Sequence, residues 1–465
     1  MEFDIKPTSI VGFPSNEATK LQQLVDVFNA HKVDNAIKEE YYDGQISLNE
    51  VNIGIALPSD LKNLRVSCEW ATKTVDVLAA RSMFDGFVSI KGTENKTLNA
   101  IAKNNNLVTA YKAACKDELK FGCTFATLSA DKAIKCKIKF HSPQTAAALW
   151  NGEKDRIDCG FAIIDTVPDE SKENTYTVSH INYYTDKAIW EIIRKDGTWE
   201  AYEHKHAMGR PLMEPLVWNK TSAKPFGRSR IKSTVRGLVD GHIRTIANAT
   251  IGLEFATSPQ KYLLGVTDEQ YESLINNKFK AYVGSLLTAT NNPDSDKQPQ
   301  FGQLAQGSLQ PHIDMMRMLA TQFAAETGLS VTDTGVINDA NPTSSDAILA
   351  QSKTLVSLAE ELNSGNGDAL EHIARMALAI AENKSLDELD ETADVIAHFK
   401  NPAMPNVAST ADAAIKLASV RSNFADTDVF LEMVGFGPAD IARIKAQEQR
   451  ARGLALIEDI DADIN

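Results

Sequence analysis

Residues 229–256 have the sequence SRIKSTVRGLVDGHIRTIANATIGLEFA, a helical pattern longer than the usual globular helix. A second helical pattern spans about 309–326. Between the two lie a short mixed stretch, YLLGVTDEQYESLINNKFKAYVGSLLTA, and the polar, turn-rich linker NNPDSDKQPQFGQ. Two helices that flank a small insertion predict a chain that runs outward along one helix and returns along the other.

The first of these helices contains three glycines, Gly237, Gly241 and Gly252. Each glycine weakens a helix by about 1 kcal/mol relative to alanine. Two explanations are open: the glycines allow close packing between helices, or the helix is shorter than its pattern suggests.

Residues 1–220 combine helical and strand patterns. Apolar side chains at three- and four-residue spacing predict helices over about 15–43 and 97–121. From 121 to 141 the apolar period changes to two, which is typical of half-buried strands. The sequence AIWEIIRKDGTWEAYEHK (188–205) adds a hairpin, because its central Asp-Gly pair favours a type I′ turn. These residues therefore read as one α+β unit.

The remainder of the chain is mainly helical. A polar loop, GLSVTDTGVINDANPTSSD, follows the second helix and leads into a predicted helix of about forty residues at 344–383. Loops longer than about 12–15 residues are uncommon in compact domains and are often functional. A flexible linker and a moving loop that lines a cavity both fit its composition. Residues 385–465 read as helical in pieces and carry fifteen acidic and seven basic residues.

The composition is that of a globular protein, with 43% hydrophobic and 24% charged residues over 465 positions, enough for roughly three domains. Five scattered cysteines without a CxxC pair predict neither a disulfide framework nor a zinc ribbon, which favours a reducing cytoplasm. The sequence has no secretory signal and no run of 18 apolar residues, so we expect no membrane segment. A net charge of −14 argues against a protein that grips nucleic acid by neutralising its phosphates.

The sequence contains none of the common signatures of enzyme active sites. It lacks GxxxxGK[ST], GxGxxG, HExxH and GxSxG, so we expect no catalytic activity, no cofactor and no metal site. His204 and His206 form a close pair, but no carboxylate or cysteine cluster completes a metal site there, and the end of a surface strand is the favoured interpretation. Cys123 and Cys136 lie on the two predicted strands, where they are possible neighbours, and we interpret them as buried small apolar residues rather than redox groups.

A run of positive charge between Lys220 and Arg244 is the main charge anomaly. Seven basic residues oppose only Asp240, and several precede or begin the predicted helix, where positive charge opposes the helix dipole. The four candidate site residues are Arg228, Arg230, Lys232 and Arg236. We expect them to contact phosphates or the acidic groups of a neighbouring subunit, since a local conflict of this kind often serves function. A solvated basic face is the alternative.

Several short motifs follow one another in a fixed order over roughly residues 20–385. They are YYDG at 41–44, VLAAR at 77–81, DGF at 85–87, KFGCT at 120–124, the hairpin with DG at 196–197, GRPL at 209–212, PFGRS at 225–229, TGL at 327–329 and PTSSDAI at 342–348. No single motif is specific. Their shared order resembles the portal proteins of tailed double-stranded-DNA bacteriophages, particularly the long-tailed siphophage type, and the acidic C-terminal part matches only in general character.

The resemblance implies an α+β portal fold with a set order of parts. These would be a wing (1–220), a first stem helix (221–256), a clip (257–307), a second stem helix (308–327), a tunnel loop (328–343), a long wing helix (344–384) and a C-terminal helical crown (385–465). The tunnel loop would contain Thr332, Asp333, Thr334, Asn338, Asp339 and Asn341. Shortening the loop between Thr332 and Asn341 is expected to leave ring assembly intact and to impair DNA packaging or retention.

The same resemblance implies a ring of twelve subunits at one capsid vertex, through which DNA is packaged and ejected. Its partners would be double-stranded DNA, the large terminase subunit, a head–tail adaptor, and the major capsid and scaffolding proteins. It would reside in the virion, after assembly in the host cytoplasm. The alternatives are another ring-forming head–tail connector or minor capsid protein, and a metal-dependent hydrolase or nuclease. The last needs clustered carboxylates on strand ends, of which the predicted strands carry few.

Overall fold

The structure is a computed structural model that describes the chain in separate ranges. These are residues 5–46, 66–89, 95–168, 176–257, 307–335, 345–389, 394–403, 407–436 and 443–451, together with short pieces that include 261–264 and 300–303. The chain divides into two compact units, Met1–Lys400 and Asn401–Asn465. Most of the expected clip therefore lies outside the described residues.

The first 220 residues form helices and strands in the predicted order. They are α1 (Ser15–Tyr42), α2 (Trp70–Ala79), β1 (Phe84–Ser89), α3 (Lys96–Asn104), α4 (Leu107–Phe121), β2 (Cys123–Asp131), β3 (Lys135–His141), β4 (Ala146–Asn151), β5 (Arg156–Pro168), β6 (Tyr176–Tyr184), β7 (Ala188–Lys195), β8 (Thr198–Lys205) and β9 (Met213–Val217). The helix expected over 97–121 is thus two helices. Asn106 between them has a left-handed φ of 49°, which interrupts the right-handed path.

Two antiparallel sheets organise this part. Strands β4 to β8 form a five-stranded sheet in chain order, and β2 lies between β3 and β9 in a three-stranded sheet. The hairpin prediction is confirmed: β7 and β8 are joined by Asp196 and Gly197, whose φ angles of 46° and 81° are those of a type I′ turn. The neighbour prediction for Cys123 and Cys136 is wrong, because Cys123 pairs with β9 and Cys136 lies opposite the far end of β2.

The helix–insertion–helix order is also present. Beyond residue 220 the α-helices and strands that the structure describes in the first unit are α5 (Ser233–Thr257), β10 (Lys261–Leu264), β11 (Gln300–Gln303), α6 (Gln310–Thr327), α7 (Ser345–Glu382) and β12 (Val395–Phe399). The helix α5 begins at Ser233, four residues later than its pattern suggests. Strands β10 and β11 pair in antiparallel fashion between α5 and α6.

The first unit extends further than the boundary expected at residue 385. Strand β12 pairs with β1, and Val395 and Ala397 are buried, so this stretch belongs to the first unit and is a strand rather than a helix. The second unit contains α8 (Val407–Val420) and α9 (Asp428–Val434). None of the described helices combines the length and the apolar composition that a membrane-spanning segment requires.

Three hydrophobic clusters are buried in the first unit, and the two larger ones hold most of its elements together. In the smaller of these two, α1 covers the five-stranded sheet, and Leu21, Leu24 and Phe28 pack against sheet residues that include Phe161 and Tyr183. The larger core joins α2, α4, β2, β9, α5, α6 and α7. The helix pair α5–α6 is therefore anchored at one end in the main core.

Candidate functional site

The pair α5–α6 packs closely along its length. Buried residues recur at four-residue spacing on α5, namely Val235, Val239, Ile243, Ala247 and Ile251. A Cβ atom added at Gly241 would lie 3.4 Å from Leu319, and one at Gly252 would lie 3.4 Å from Leu309. Close packing therefore explains two of the three glycines, whereas Gly237 faces open space.

A tryptophan of α2 stacks between the two helices at the end of the pair that is anchored in the larger core. The ring of Trp70 lies 4.0 Å from that of His242 on α5 and 4.8 Å from that of Phe323 on α6, measured between centroids. Burial lowers the pKa of His242, which keeps the imidazole neutral at pH 7 and suited to stacking. The indole Nε1 of Trp70 donates a hydrogen bond to the carbonyl of Thr334, 3.2 Å away. One side chain thus holds three segments together.

The polar loop after α6 begins with an ordered turn. Residues Val331–Thr334 form one turn of 3₁₀-helix, and Ser330 and Asp333 cap it reciprocally through their side chains. The Lys73 ammonium on α2 donates to the carbonyl of Asp333 at 2.7 Å. Together with the bond from Trp70, this contact fixes the start of the loop to α2.

Half of the candidate loop residues fall in this turn. Thr332 is exposed, Asp333 caps the turn, and Thr334 is buried with its hydroxyl 2.6 Å from the carbonyl of Val331. The other three candidates, Asn338, Asp339 and Asn341, lie outside the described residues.

Arg230 differs from the other three basic candidates because its side chain points inward. Its Nε donates to the carbonyl of Thr74 at 2.8 Å, and its Nη2 donates to the carbonyl of Thr327 at 2.6 Å. The guanidinium also lies 5.7 Å from the ring of Trp218, and burial lowers its pKa to about 10. It therefore ties α2 to the last residue of α6 within one chain, and as a buried side chain it is not available for a surface contact.

The remaining three basic candidates lie at the surface. Arg228 and Lys232 are exposed, and Arg236 is half-buried, 3.8 Å from Asp34 of α1. Asp240, the one acid in this run, accepts a hydrogen bond from the Tyr41 hydroxyl at 2.7 Å. The Asp240 carboxylate therefore contacts the last turn of α1 and not the basic candidates.

Sequence reasoning missed Trp70 and Lys73. Their partners Thr334 and Asp333 lie more than 250 residues away, and both accept through main-chain carbonyls, which every residue type provides. No residue pattern in the sequence marks such contacts.

The cysteine thiols are held in an unreactive form. All five cysteines are buried and free. Burial raises the pKa of Cys68 and Cys159 to about 11 and that of Cys123 and Cys136 to about 12, so the thiolate is suppressed at neutral pH. Among the described residues, no three His, Cys, Asp or Glu side chains are grouped so that they could hold a metal ion.

The two histidines at the end of β8 have different hydrogen-bond partners. His204 Nε2 lies 3.2 Å from a carboxylate oxygen of Glu191, whereas His206 Nδ1 lies 3.4 Å from the backbone nitrogen of Met208. The two rings therefore do not converge on one point, in keeping with the strand-end interpretation.

The contacts described above stack rings, cap a turn and tie helices to one another around the pair α5–α6. A family model described as "Phage portal protein, SPP1 Gp6-like" matches residues 15–452. The chain belongs to this family of structural virion proteins, so the resemblance noted in the sequence is confirmed. No curated protein matches the chain.

The comparison with solved structures returns chains from gene transfer agent (GTA) particles. A chain described as "Neck of empty GTA particle computed with C6 symmetry" is 11% identical, covers 83% of this chain and 95% of its own length, and has a TM-score of 0.45. A chain from the "Virion of native gene transfer agent (GTA) particle" is 12% identical over 79% of this chain and 90% of its own, with a TM-score of 0.43. The family assignment rests on the sequence match and not on these similarities.

Proposed function

We propose that this protein forms a twelve-subunit ring at one vertex of a phage capsid and that DNA enters and leaves the capsid through the ring's channel. The observation that carries the proposal is the match of the portal family to residues 15–452. The helix pair α5–α6, rooted in a mixed helix–sheet platform, supports it, because paired helices that pack side by side around an axis can wall a channel.

The charge of the chain supports passage rather than tight binding. A net charge of −14 per chain becomes about −168 over twelve copies. Carboxylates near the channel repel phosphates, which keeps non-specific affinity for DNA low and lets the duplex slide. Basic residues that face the channel would attract the phosphates and slow the movement of DNA locally.

The parts of the portal are assigned to the observed elements as follows. Residues 1–220 would form the wing, α5 and α6 the stem, and α7 the long wing helix. The hairpin β10–β11 would lie in the clip, at 257–307, where the terminase and then the head–tail adaptor would dock. Residues 328–343 would form the tunnel loop, and the second unit would contribute to the crown.

The remaining partners of the proposed ring follow from its place in the capsid. They would be the major capsid protein and the scaffolding protein, met in the host cytoplasm during assembly and retained in the virion. Arg228, Lys232 and Arg236 would face either DNA or a neighbouring subunit.

Native mass measurement combined with negative-stain imaging of the purified protein tests this proposal. A ring of twelve 50.9-kDa chains has a mass of about 610 kDa and a central hole. A chain that stays monomeric at high concentration, and also in the presence of the scaffolding protein, would refute the ring. A closed ring with another subunit number would refute the stoichiometry only.

A further inference from the structure

A cleft of about 500 Å³ opens beside the start of α5. Its walls come from α1, from the junction of α4 with β2, from the first residues of β4 and from the segment 224–232. This segment passes close over Gly122, where an added Cβ atom would lie 3.0 Å from the backbone of Arg228. All of these elements belong to the first unit, so the cleft is part of one packed body.

The floor of the cleft is apolar. Phe28 and Phe125 are buried beneath it, and Phe226 packs edge-on against Phe125 with ring centroids 5.7 Å apart. Val27 on α1 is 36% exposed, and Pro225 is half-exposed. The floor therefore offers aliphatic and aromatic surface to an apolar side chain from outside, which is a typical property of protein interaction sites.

The rim of the cleft is basic. Its cations are Lys38, Lys224, Arg228, Lys232 and Arg236. One carboxylate, that of Asp34, lies among them, 2.7 Å from the Lys38 ammonium and 3.8 Å from the Arg236 guanidinium. Lys224, Arg228 and Lys232 are exposed, and none of these three forms an ion pair with another described residue.

We infer that this cleft is the docking site for an acidic, partly apolar surface of a second copy of the chain. Five cations and one carboxylate give the cleft a net charge of +4, and since the whole chain carries −14, the remainder carries −18. A second copy therefore presents the complementary charge. Apolar side chains beside its carboxylates cover the aromatic floor.

The contact joins two different surfaces, the cleft of one copy and the acidic surface of the next. Such a heterologous contact repeats from copy to copy and closes into a ring when the rotation permits. The inference rests on the proposed ring and adds one of the surfaces that hold it together.

DNA is the competing occupant, since phosphates also attract cations. A phosphate backbone in this position would pair with the rim but leave the apolar floor in contact with water. A protein surface covers both the rim and the floor, as interfaces with an apolar core and a polar rim do.

Charge reversal on the rim tests the inference. The double variant Arg228→Glu/Lys232→Glu puts negative charge opposite the acidic surface of the neighbour. The matched control is Lys132→Glu/Lys137→Glu on the β2–β3 hairpin, where both lysines are exposed and the change in net charge is the same. All four side chains are exposed, and equal thermal unfolding of the two variants checks that the fold is intact.

The expected result is selective loss of assembly. The rim variant requires at least about tenfold more protein than the control for half-maximal ring formation in sedimentation experiments, because like charges face each other across the contact. The milder variant Arg228→Gln/Lys232→Gln falls between the two.

Zero-length cross-linking identifies the other side of the contact. A carbodiimide joins lysine ammonium groups to carboxylates in contact, and mixed ¹⁵N-labelled and unlabelled subunits distinguish links between copies from links within one. We expect Lys224 and Lys232 to link to aspartate or glutamate residues of a second copy.

Each outcome separates this inference from the proposed function. If the wild-type chain forms no ring, the proposed function fails. If it forms rings and the rim variant assembles as the control does, or if the cleft lysines link to no second copy, this inference is overturned and the ring stands. Normal assembly with reduced DNA retention would assign the cleft to DNA instead.

Discussion

Replacing Glu118 with glutamine changes the charge of one buried carboxyl without changing its shape. Glu118 is fully buried on α4, and one of its oxygens accepts a hydrogen bond from the Asn366 amide on α7 at 2.7 Å. The same amide nitrogen donates to the Tyr111 hydroxyl, 2.9 Å away. The other carboxyl oxygen and the Asn366 carbonyl oxygen have no hydrogen-bond partner. A glutamine at 118 removes the buried negative charge, and its amide supplies hydrogens that a carboxylate lacks for the acceptors nearby.

The size of the effect follows from the pKa of Glu118, which burial raises from 4.5 to about 8. A carboxyl with a folded-state pKa above its unfolded value stabilises fully below pH 4.5, and this stability is lost as the pH rises through 8. A shift of this size corresponds to about 5 kcal/mol between the two limits, at 1.36 kcal/mol per unit. The variant Glu118→Gln does not lose stability in this way as the pH rises, because its amide does not ionise.

Thermal unfolding at fixed protein concentration and scan rate measures the difference. With about 2.1 cal/mol/K of unfolding entropy per residue, 5 kcal/mol over the 400-residue first unit corresponds to roughly 6 °C. We therefore expect Glu118→Gln to unfold about 6 °C above the wild type at pH 8.5, and at the same temperature at pH 4.5. Samples must share one oligomeric state, since assembly itself raises the apparent stability.

The dependence on pH is the decisive part of this test. A stabilisation by Glu118→Gln that is equal at pH 4.5 and 8.5 would show that titration of the carboxyl is not its cause. A variant less stable than the wild type at pH 8.5 would refute the assignment of a buried carboxyl with a raised pKa.

Three further predictions concern the same unit. Burial lowers the pKa of His141 to about 4, below its unfolded value of 6.5, so the contribution of the neutral imidazole to the stability of the fold is complete above pH 6.5 and falls by about 3 kcal/mol towards pH 4. Unfolding curves recorded between pH 7 and 4.5 should therefore show a smaller loss of stability for His141→Gln than for the wild type. Arg230→Met removes two hydrogen bonds to carbonyls and should lower the free energy of unfolding by about 2 kcal/mol in urea. The control Arg228→Met, at an exposed position nearby, should change it by less than about 0.5 kcal/mol. Equal effects of the two variants would contradict the inward role of Arg230. Deleting residues 337–340 preserves the anchored turn at 330–335 and should leave ring assembly unchanged while lowering the DNA retained in filled particles; failure to assemble would make the loop a subunit contact.

Local patterns predicted most elements of the fold. The Asp-Gly pair specified the β7–β8 hairpin, because both positions require positive φ and few residues adopt it readily. The long helices were predicted within a few residues of their ends from apolar spacing alone. The errors fell where local and tertiary preferences differ: the helix pattern over 97–121 is broken at Asn106, and β12 is a strand because β1 offers it a pairing edge.

The candidate site was predicted only in outline. The run of basic residues was visible in the sequence, but whether each side chain points inward or outward was not. Arg230 and Lys232 are two positions apart, yet the first is buried against two carbonyls and the second is exposed. The backbone packs closely over Gly122 just before this point, and of the two side chains only that of Arg230 reaches the core.

The sequence by itself determined the order of helices and strands, the acidic charge and the family of the protein, since these depend on local patterns, on the order of short motifs along the chain, or on simple sums over it. The tertiary structure alone decided which distant groups meet: the Trp70 stack at the root of the helix pair, the attachment of the loop to α2, and the basic rim around an apolar cleft. These contacts join residues up to about 260 positions apart, many through main-chain carbonyls. Packing brings such groups together, and a carbonyl leaves no mark on the sequence of side chains.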